Sequence, residues 1–210
     1  MNAFERLSSI FKEFRSLCPK RLFLWTLLLA GIASAWMVSI TDKEMRSALL
    51  HEARLLAAAI NPDRVRSLAG DESDLELESY RRLKTQLGAV RAADPKRRFV
   101  YLMGRKRSGE IFIHVDSDPP ESVDYSPPGQ IYDEATPVHA EVLERGSEFV
   151  EGPLEDRWGV WVFALVPLRD SAGVVTALLG MDVGASDWRR NVLKRAALPV
   201  ALTVALLASL

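Results

Sequence analysis

The sequence predicts an α+β domain, an antiparallel sheet with a long N-terminal helix, flanked by two transmembrane helices. Two uncharged apolar segments, 22–40 and 196–210, bracket about 150 residues of ordinary globular composition. Between them, stretches with apolar residues at helical spacing come first, and shorter stretches of strand-like composition follow. Strands grouped after helices favour an antiparallel sheet with helices packed against it.

The first apolar segment, 22–40 (LFLWTLLLAGIASAWMVSI), has 19 residues and no charge. A helix of that length is about 28 Å long, close to the thickness of the bilayer's hydrocarbon core. The preceding residues, 1–21, carry a net charge of +3, which favours a cytoplasmic N-terminus. A cleaved signal peptide is the alternative, because Ala33-Ser34-Ala35 resembles a cleavage site. The apolar run continues past that site to Ile40, which favours an uncleaved anchor.

The second apolar segment, 196–210, has 15 residues, fewer than the roughly 17 that a spanning helix needs. We interpret it as a truncated transmembrane helix 2. Four basic residues precede it: Arg189, Arg190, Lys194 and Arg195. If the middle of the chain is extracytoplasmic, these charges oppose the positive-inside bias, although basic side chains can reach lipid headgroups.

The charge and cysteine content limit the partners of the middle domain, 41–190. The overall net charge is −1, to which the N-terminal flank contributes +3 and the basic cluster +4, so residues 22–188 carry −8. An acidic domain argues against nucleic acid as a partner. Cys18 is the single cysteine, and the three histidines show no metal-ligand spacing. We therefore expect no disulfide, no metal and no cofactor in this domain.

The middle domain opens with two predicted helices. The first, 41–60, continues from the membrane segment and repeats apolar residues at helical spacing. These residues are Met45, Leu49, Ala53, Leu56 and Ile60. Asn61-Pro62 interrupts the helix, a short helical turn at 62–68 follows, and a second long helix covers 75–93.

The remaining elements are mostly strands. Residues 98–104 and 110–115 form a predicted hairpin, and the Pro-rich segment 116–130 is an irregular loop. The later elements are a helix at 135–145, a brief strand at 148–150, a second hairpin of 158–168 and 173–183, and a helix from Asp187 onward.

Four parts of the middle domain carry a family resemblance. They are VYLMGRKRSGEIFIHVDSDP (100–119), DYSPPGQIYDEA (124–135), EGPLEDRWGVWVFALVPLRDSAGVVTALLGMDV (151–183) and Trp188. They resemble the extracytoplasmic PAS-like (single Cache) sensor domain of bacterial membrane receptors. The resemblance implies a multi-pass protein of the bacterial inner membrane with a periplasmic sensor domain. It also implies a parallel homodimer through the 41–60 helix, and a cytoplasmic output domain after the second membrane helix.

The same resemblance implies a small-molecule site over one face of the sheet, beneath the loop that follows the first hairpin. The matching positions are Tyr101, His114, Asp116, Tyr125, Tyr132, Trp158, Trp161 and Asp182. Aromatic rings supply an apolar wall with polar tips, and Asp116 and Asp182 are suited to anchor an ammonium group. His114 is expected to donate or accept a hydrogen bond near neutral pH. The alternative roles remain open, since aromatic residues on sheets usually pack and aspartates often cap turns.

We expect no enzymatic activity and no catalytic residues in this chain. His51-Glu52 loosely resembles the phospho-acceptor box of histidine kinases, but no Gly-rich nucleotide lid accompanies it. The resemblance implies that the full product is a sensor histidine kinase of a two-component system, with its catalytic domain beyond Leu210. A diguanylate cyclase, a chemoreceptor and a membrane-anchored scaffold without output are the alternatives. An extracytoplasmic hydrolase ranks last, because no nucleophile–base pair is evident.

Overall fold

The computed structural model describes residues 3–208, which form two compact units. Glu44–Arg189 is the larger unit and contains the whole sheet. The smaller unit consists of the two terminal stretches on either side of it and is helical. The first two residues of the predicted cytoplasmic N-terminus and the last two of the second predicted membrane segment lie outside the described residues.

The chain contains one long N-terminal helix and several shorter ones. The helices are α1 (Ala3–Ala59), α2 (Pro62–Arg66), α3 (Glu78–Ala93), α4 (Pro137–Arg145), α5 (Ala185–Ala196) and α6 (Leu198–Ala208), with a 3-10 helix at Glu72–Glu76. Within the described residues, one helical stretch, Phe23–Ala59, is long and apolar enough to cross a membrane. It includes most of the first predicted membrane segment. The second predicted membrane segment begins at the last residue of α5 and continues in α6.

The predicted antiparallel α+β architecture is confirmed. The strands are β1 (Arg97–Arg105), β2 (Ile111–Asp116), β3 (Phe149–Asp156), β4 (Gly159–Arg169) and β5 (Val175–Gly184). They form one antiparallel sheet in the order β2-β1-β5-β4-β3. The hairpin of β1 and β2 therefore joins the hairpin of β4 and β5 through pairing of β1 with β5. This pairing places β1 and β5 side by side in the interior of the sheet.

Helices cover both faces of the sheet. On one face, α3 lies against β1 and β2, and α2 lies against β5. On the other face, α4 packs against β1, β4 and β5, with Val142 buried among their apolar residues. Gly146 ends α4 in the left-handed conformation, with φ at 67°, which suits glycine at this position.

The strand β3 is longer than the predicted 148–150 segment. It continues through Gly152 and Pro153 to Asp156, with an irregularity in its pairing to β4 between Glu151 and Leu154. Proline has no N–H to donate and is tolerated in a strand only at a sheet edge or at a bulge. Both conditions hold here, because β3 is an edge strand and Pro153 lies within the irregularity.

Candidate functional site

The candidate site lies on the α4 face of the sheet, at the centre of β1 and β5. Alternate residues of β1 point to this face because strand side chains alternate. Tyr101 is opposite Asp116 on β2 and opposite Gly180 on β5. A Cβ atom on Gly180 would lie 2.0 Å from the Tyr101 ring, so only glycine leaves room for the ring to lie across β5.

An irregularity in β2 determines which of its residues reach the site. Leu102 of β1 pairs with Val115, and the following residue, Met103, pairs with Ile113. His114 is therefore the extra residue of a bulge. The bulge places both Ile113 and Asp116 on the cavity face. His114 lies instead beside the Phe112 ring, 4.5 Å between centroids, and a Cβ atom on Gly104 would collide with both rings.

Asp182 on β5 and Asp116 on β2 are the two deeply buried carboxyl groups of the site, each with 4 % of its surface exposed. Oδ1 of Asp182 accepts a hydrogen bond from the Tyr101 hydroxyl at 3.0 Å, and Oδ2 of Asp182 accepts none from a described residue. Burial raises the pKa of Asp182 well above its ordinary value, and the charges of Asp156 and Asp116 raise it further. Burial likewise raises the pKa of Tyr101, so its hydroxyl keeps its proton at neutral pH.

Asp116 is the last residue of β2, and its side chain binds the backbone of the loop that follows. Its two carboxylate oxygens accept hydrogen bonds from the backbone N–H groups of Asp118, at 3.1 Å, and Ser126, at 2.9 Å. Burial raises the pKa of Asp116 to about 6, although these two hydrogen bonds oppose the rise. The loop residue Asp124 also lines the site and is paired with Arg98.

The turn between β3 and β4 is organised by Asp156. Its Oδ1 accepts hydrogen bonds from the backbone N–H groups of Trp158 and Gly159 and from Nε1 of Trp161, all within 3.0 Å. Its Oδ2 accepts a hydrogen bond from the Tyr132 hydroxyl at 3.3 Å. The Tyr132 and Trp158 rings stack at 6.1 Å, so the turn and the loop meet over the site.

Two adjacent cavities, of about 30 Å³ and about 70 Å³, lie beneath this cover. They share four residues: Tyr101, Tyr132, Asp156 and Asp182. The smaller cavity is also lined by Phe99, Met103, Ile113, Asp116, Asp124, Ser126 and Trp158. The larger is also lined by Glu134, Thr136, His139, Leu154, Glu155, Trp161 and Phe163. About 15 Å³ of such space holds one water molecule, so the two together hold roughly six water-sized groups.

Six of the eight residues expected at the site line these cavities: Tyr101, Asp116, Tyr132, Trp158, Trp161 and Asp182. The other two lie elsewhere. The Tyr125 hydroxyl is 3.2 Å from that of Tyr80, and Lys84 lies over the Tyr125 ring, so Tyr125 fastens the loop to α3. His114 lines neither cavity and lies on the opposite face of the sheet, which α3 covers. Burial lowers its pKa to about 4 and leaves the ring neutral at pH 7.

Several lining residues were not among the expected ones. Phe99 and Met103 flank Tyr101 at strand spacing, so the alternation of β1 was the signal that could have identified them. Asp156 and Asp124 had no such signal, because they come from a turn and a loop whose positions depend on distant contacts.

No protein-family model and no curated protein matched the sequence. The fold does match solved structures of the sensory domain of the Campylobacter jejuni chemoreceptor Tlp3. The complex with L-valine matches with a TM-score of 0.52 at 17 % identity over 85 % of this chain. The isoleucine-bound form matches with a TM-score of 0.51, again at 17 % identity and over 85 % of this chain. These matches cover 66 % and 65 % of the chemoreceptor chains, so this chain spans somewhat less than two thirds of their length.

Proposed function

We propose that Glu44–Arg189 is the ligand-sensing input domain of a transmembrane signal-transduction receptor of the sensor histidine kinase type. In this proposal the domain lies outside the bacterial inner membrane and binds a small molecule in the two cavities. The shared fold with a chemoreceptor sensory domain supports an input role, and that domain binds L-valine and isoleucine. The output domain lies on the cytoplasmic side, outside this sequence.

The observation that carries the proposal is the position of Asp182. This cavity carboxylate lies on β5 three residues before α5 begins at Ala185. Trp161 lines the larger cavity and is paired across the sheet with Gly184, the last residue of β5. A ligand that moves Asp182 or Trp161 therefore acts on the strand end from which α5 starts.

Signalling requires that the ligand bind two states of this strand end with different affinity, since equal affinity shifts no equilibrium. The loop of residues 117–135 and the Asp156–Gly159 turn are the elements suited to close over the ligand. In this proposal two copies form a parallel homodimer through α1.

A thermal-shift screen of the full chain in detergent tests the binding proposal. The panel contains small amines, amino acids, carboxylates, sugars and nucleosides. A ligand at 100 times its Kd stabilises the folded state by about 2.7 kcal/mol, and about 2–4 °C per kcal/mol is typical for this chain length. We expect at least one shift of about 5–10 °C that Asp182→Ala and Tyr132→Ala abolish. Asp63→Ala, which removes an exposed carboxylate, is the control and should keep the shift. Shifts retained in both cavity variants would contradict the site.

Two other receptor types are the alternatives for the whole protein, a chemoreceptor and a diguanylate cyclase. The likeness to Tlp3 favours the chemoreceptor of these two. The reading frame beyond Leu210 separates them. A histidine kinase there is the expected result, and a cyclase or a chemoreceptor signalling domain would replace it. An immediate stop codon would favour a membrane-anchored binding protein without output.

A further inference from the structure

The ionisable groups that line the two cavities are acidic, apart from tyrosines and one histidine. Six carboxylates line them: Asp116, Asp124, Asp156, Asp182, Glu134 and Glu155. Neither cavity is lined by a lysine or an arginine. His139 is the one histidine among the lining residues. Its Nδ1 accepts from the Thr136 backbone at 3.2 Å, and burial lowers its pKa to about 4, so it is uncharged at pH 7.

Three cations lie close to these acidic groups, and none of them lines a cavity. Lys84 donates a hydrogen bond from Nζ to the backbone carbonyl oxygen of Asp116 at 2.7 Å. Arg98 pairs with Asp124 and also bonds Asp118 at 3.1 Å. Arg157 forms a two-bonded pair with Glu134, at 2.6 and 2.8 Å, on the solvent side of the cover. These pairs balance the negative charges of Asp124 and Glu134 but place no positive group inside the cavities.

Asp182 and Asp156 are left without a cationic partner among the described residues. Asp156 is satisfied by four hydrogen-bond donors, whereas Asp182 has only the Tyr101 hydroxyl. The free Oδ2 of Asp182 belongs to a side chain that is 96 % buried and lines both cavities. Burial raises the pKa of Asp182, and a cation that donates a hydrogen bond to the free Oδ2 favours the ionised form of this carboxyl group.

The walls suit a small organic cation rather than a metal ion. Three aromatic residues, Tyr101, Tyr132 and Trp158, line the smaller cavity, and ammonium groups are attracted to the faces of aromatic rings. Phe99 and Met103 complete an apolar floor that would contact alkyl carbons. The combined space fits roughly six non-hydrogen atoms, which is the size of a short-chain amine.

Resting on the proposed function, we infer that the sensed molecule is a small primary amine without a carboxylate, held by Asp182 and the aromatic wall. An α-amino acid would place its carboxylate among six acidic side chains with no basic side chain to receive it. The site therefore selects against free amino acids and in favour of the corresponding decarboxylated amines.

The test compares matched pairs that differ only in the carboxylate. Methylamine, ethanolamine, propylamine and isobutylamine are titrated against glycine, serine, 2-aminobutyrate and valine. Binding to the full chain in detergent is followed at pH 7.5 and constant ionic strength by the fluorescence of the cavity tryptophans and by calorimetry. We expect at least one amine to bind at least tenfold more tightly than its amino acid.

The variants Asp182→Asn and Asp63→Asn make the same replacement of a carboxyl group by an amide, one inside the cavity and one on the exposed surface. Asp182→Asn should weaken amine binding at least tenfold, and Asp63→Asn should leave it unchanged. Circular dichroism confirms that both variants fold, and Tyr132→Phe provides a second cavity variant that keeps every charge.

The outcomes separate this inference from the proposed function. If amino acids, carboxylates or sugars bind as tightly as the amines in an Asp182-dependent manner, the amine inference is overturned and the sensory site stands. Amine binding that survives Asp182→Asn overturns the inference as well. If no compound class binds, both the inference and the proposed site are overturned.

Discussion

Replacing Asp116 by asparagine should change how the stability of the ligand-free domain depends on pH. Burial raises the pKa of Asp116 from 3.8 to about 6, so the folded state holds this proton more tightly than the unfolded state. The resulting stabilisation is full below pH 3.8 and is lost as the pH rises through about 6. Since one pKa unit corresponds to 1.36 kcal/mol, the loss is about 3 kcal/mol, most of it between pH 4 and pH 7.

Two buried histidines act in the opposite direction over the same range. The pKa values of His114 and His139 are lowered from 6.5 to about 4, so their contributions are present above pH 6.5 and are lost as the pH falls. The wild-type profile alone is therefore a sum of opposing effects. The difference between wild type and Asp116→Asn isolates the carboxylate, because the histidines are common to both.

Thermal unfolding of both proteins between pH 4 and pH 7.5, at constant ionic strength, measures this difference. Asparagine keeps one of the two acceptor oxygens, so the variant loses about 1 kcal/mol at every pH, which does not affect the slope. We expect the stability of the wild type relative to the variant to fall by about 2–3 kcal/mol across the range. At 2–4 °C per kcal/mol, this change corresponds to about 5–10 °C in the difference between the two melting temperatures. Parallel profiles would refute the assignment of a raised pKa to Asp116.

Three further predictions concern other parts of the site. His139→Gln should remove about 3 kcal/mol of the acid destabilisation between pH 6.5 and pH 4, seen as a flatter melting profile, because glutamine does not titrate. Gly180→Ala should cost about 1–3 kcal/mol in melting experiments and weaken ligand binding, because its Cβ displaces the Tyr101 ring; unchanged binding would contradict this packing. Arg157→Ala should cost less than about 1 kcal/mol in stability, because its pair with Glu134 is exposed. It should also speed ligand association and dissociation in stopped-flow fluorescence, because this pair joins the Asp156–Gly159 turn to the loop over the cavities; unchanged rates would show that the pair does not hold the cover closed.

The local periodicity of the sequence predicted most of the elements. The apolar spacing of residues 41–60 became the buried stripe of α1, and the runs at 98–104 and 110–115 became β1 and β2. These features depend on neighbours a few residues away, which the sequence displays directly. The edge strand β3 was underestimated because Pro153 normally argues against a strand, and its tolerance follows from a position in the sheet that only the tertiary fold defines.

The site was predictable where it lies on regular strands and less so elsewhere. Tyr101 and Asp182 lie on the cavity face by simple alternation. Simple alternation would also place His114 on the face of Asp116, two residues further along β2. The bulge adds one residue between them, so His114 lies on the opposite face. Asp156 reaches the cavities through a turn whose place is fixed by the long-range pairing of β3 with β4. No local pattern encodes either feature.

Hydrogen exchange of the full chain, with and without the compound that gives the largest thermal shift, tests the central claim most directly. Slow exchange reports where a ligand suppresses local opening. The account predicts added protection in residues 117–135 and in the Asp156–Gly159 turn, together with a change in the first turns of α5. Protection confined to the outer surface of α2 and α3, with the cavity elements and α5 unchanged, would contradict it.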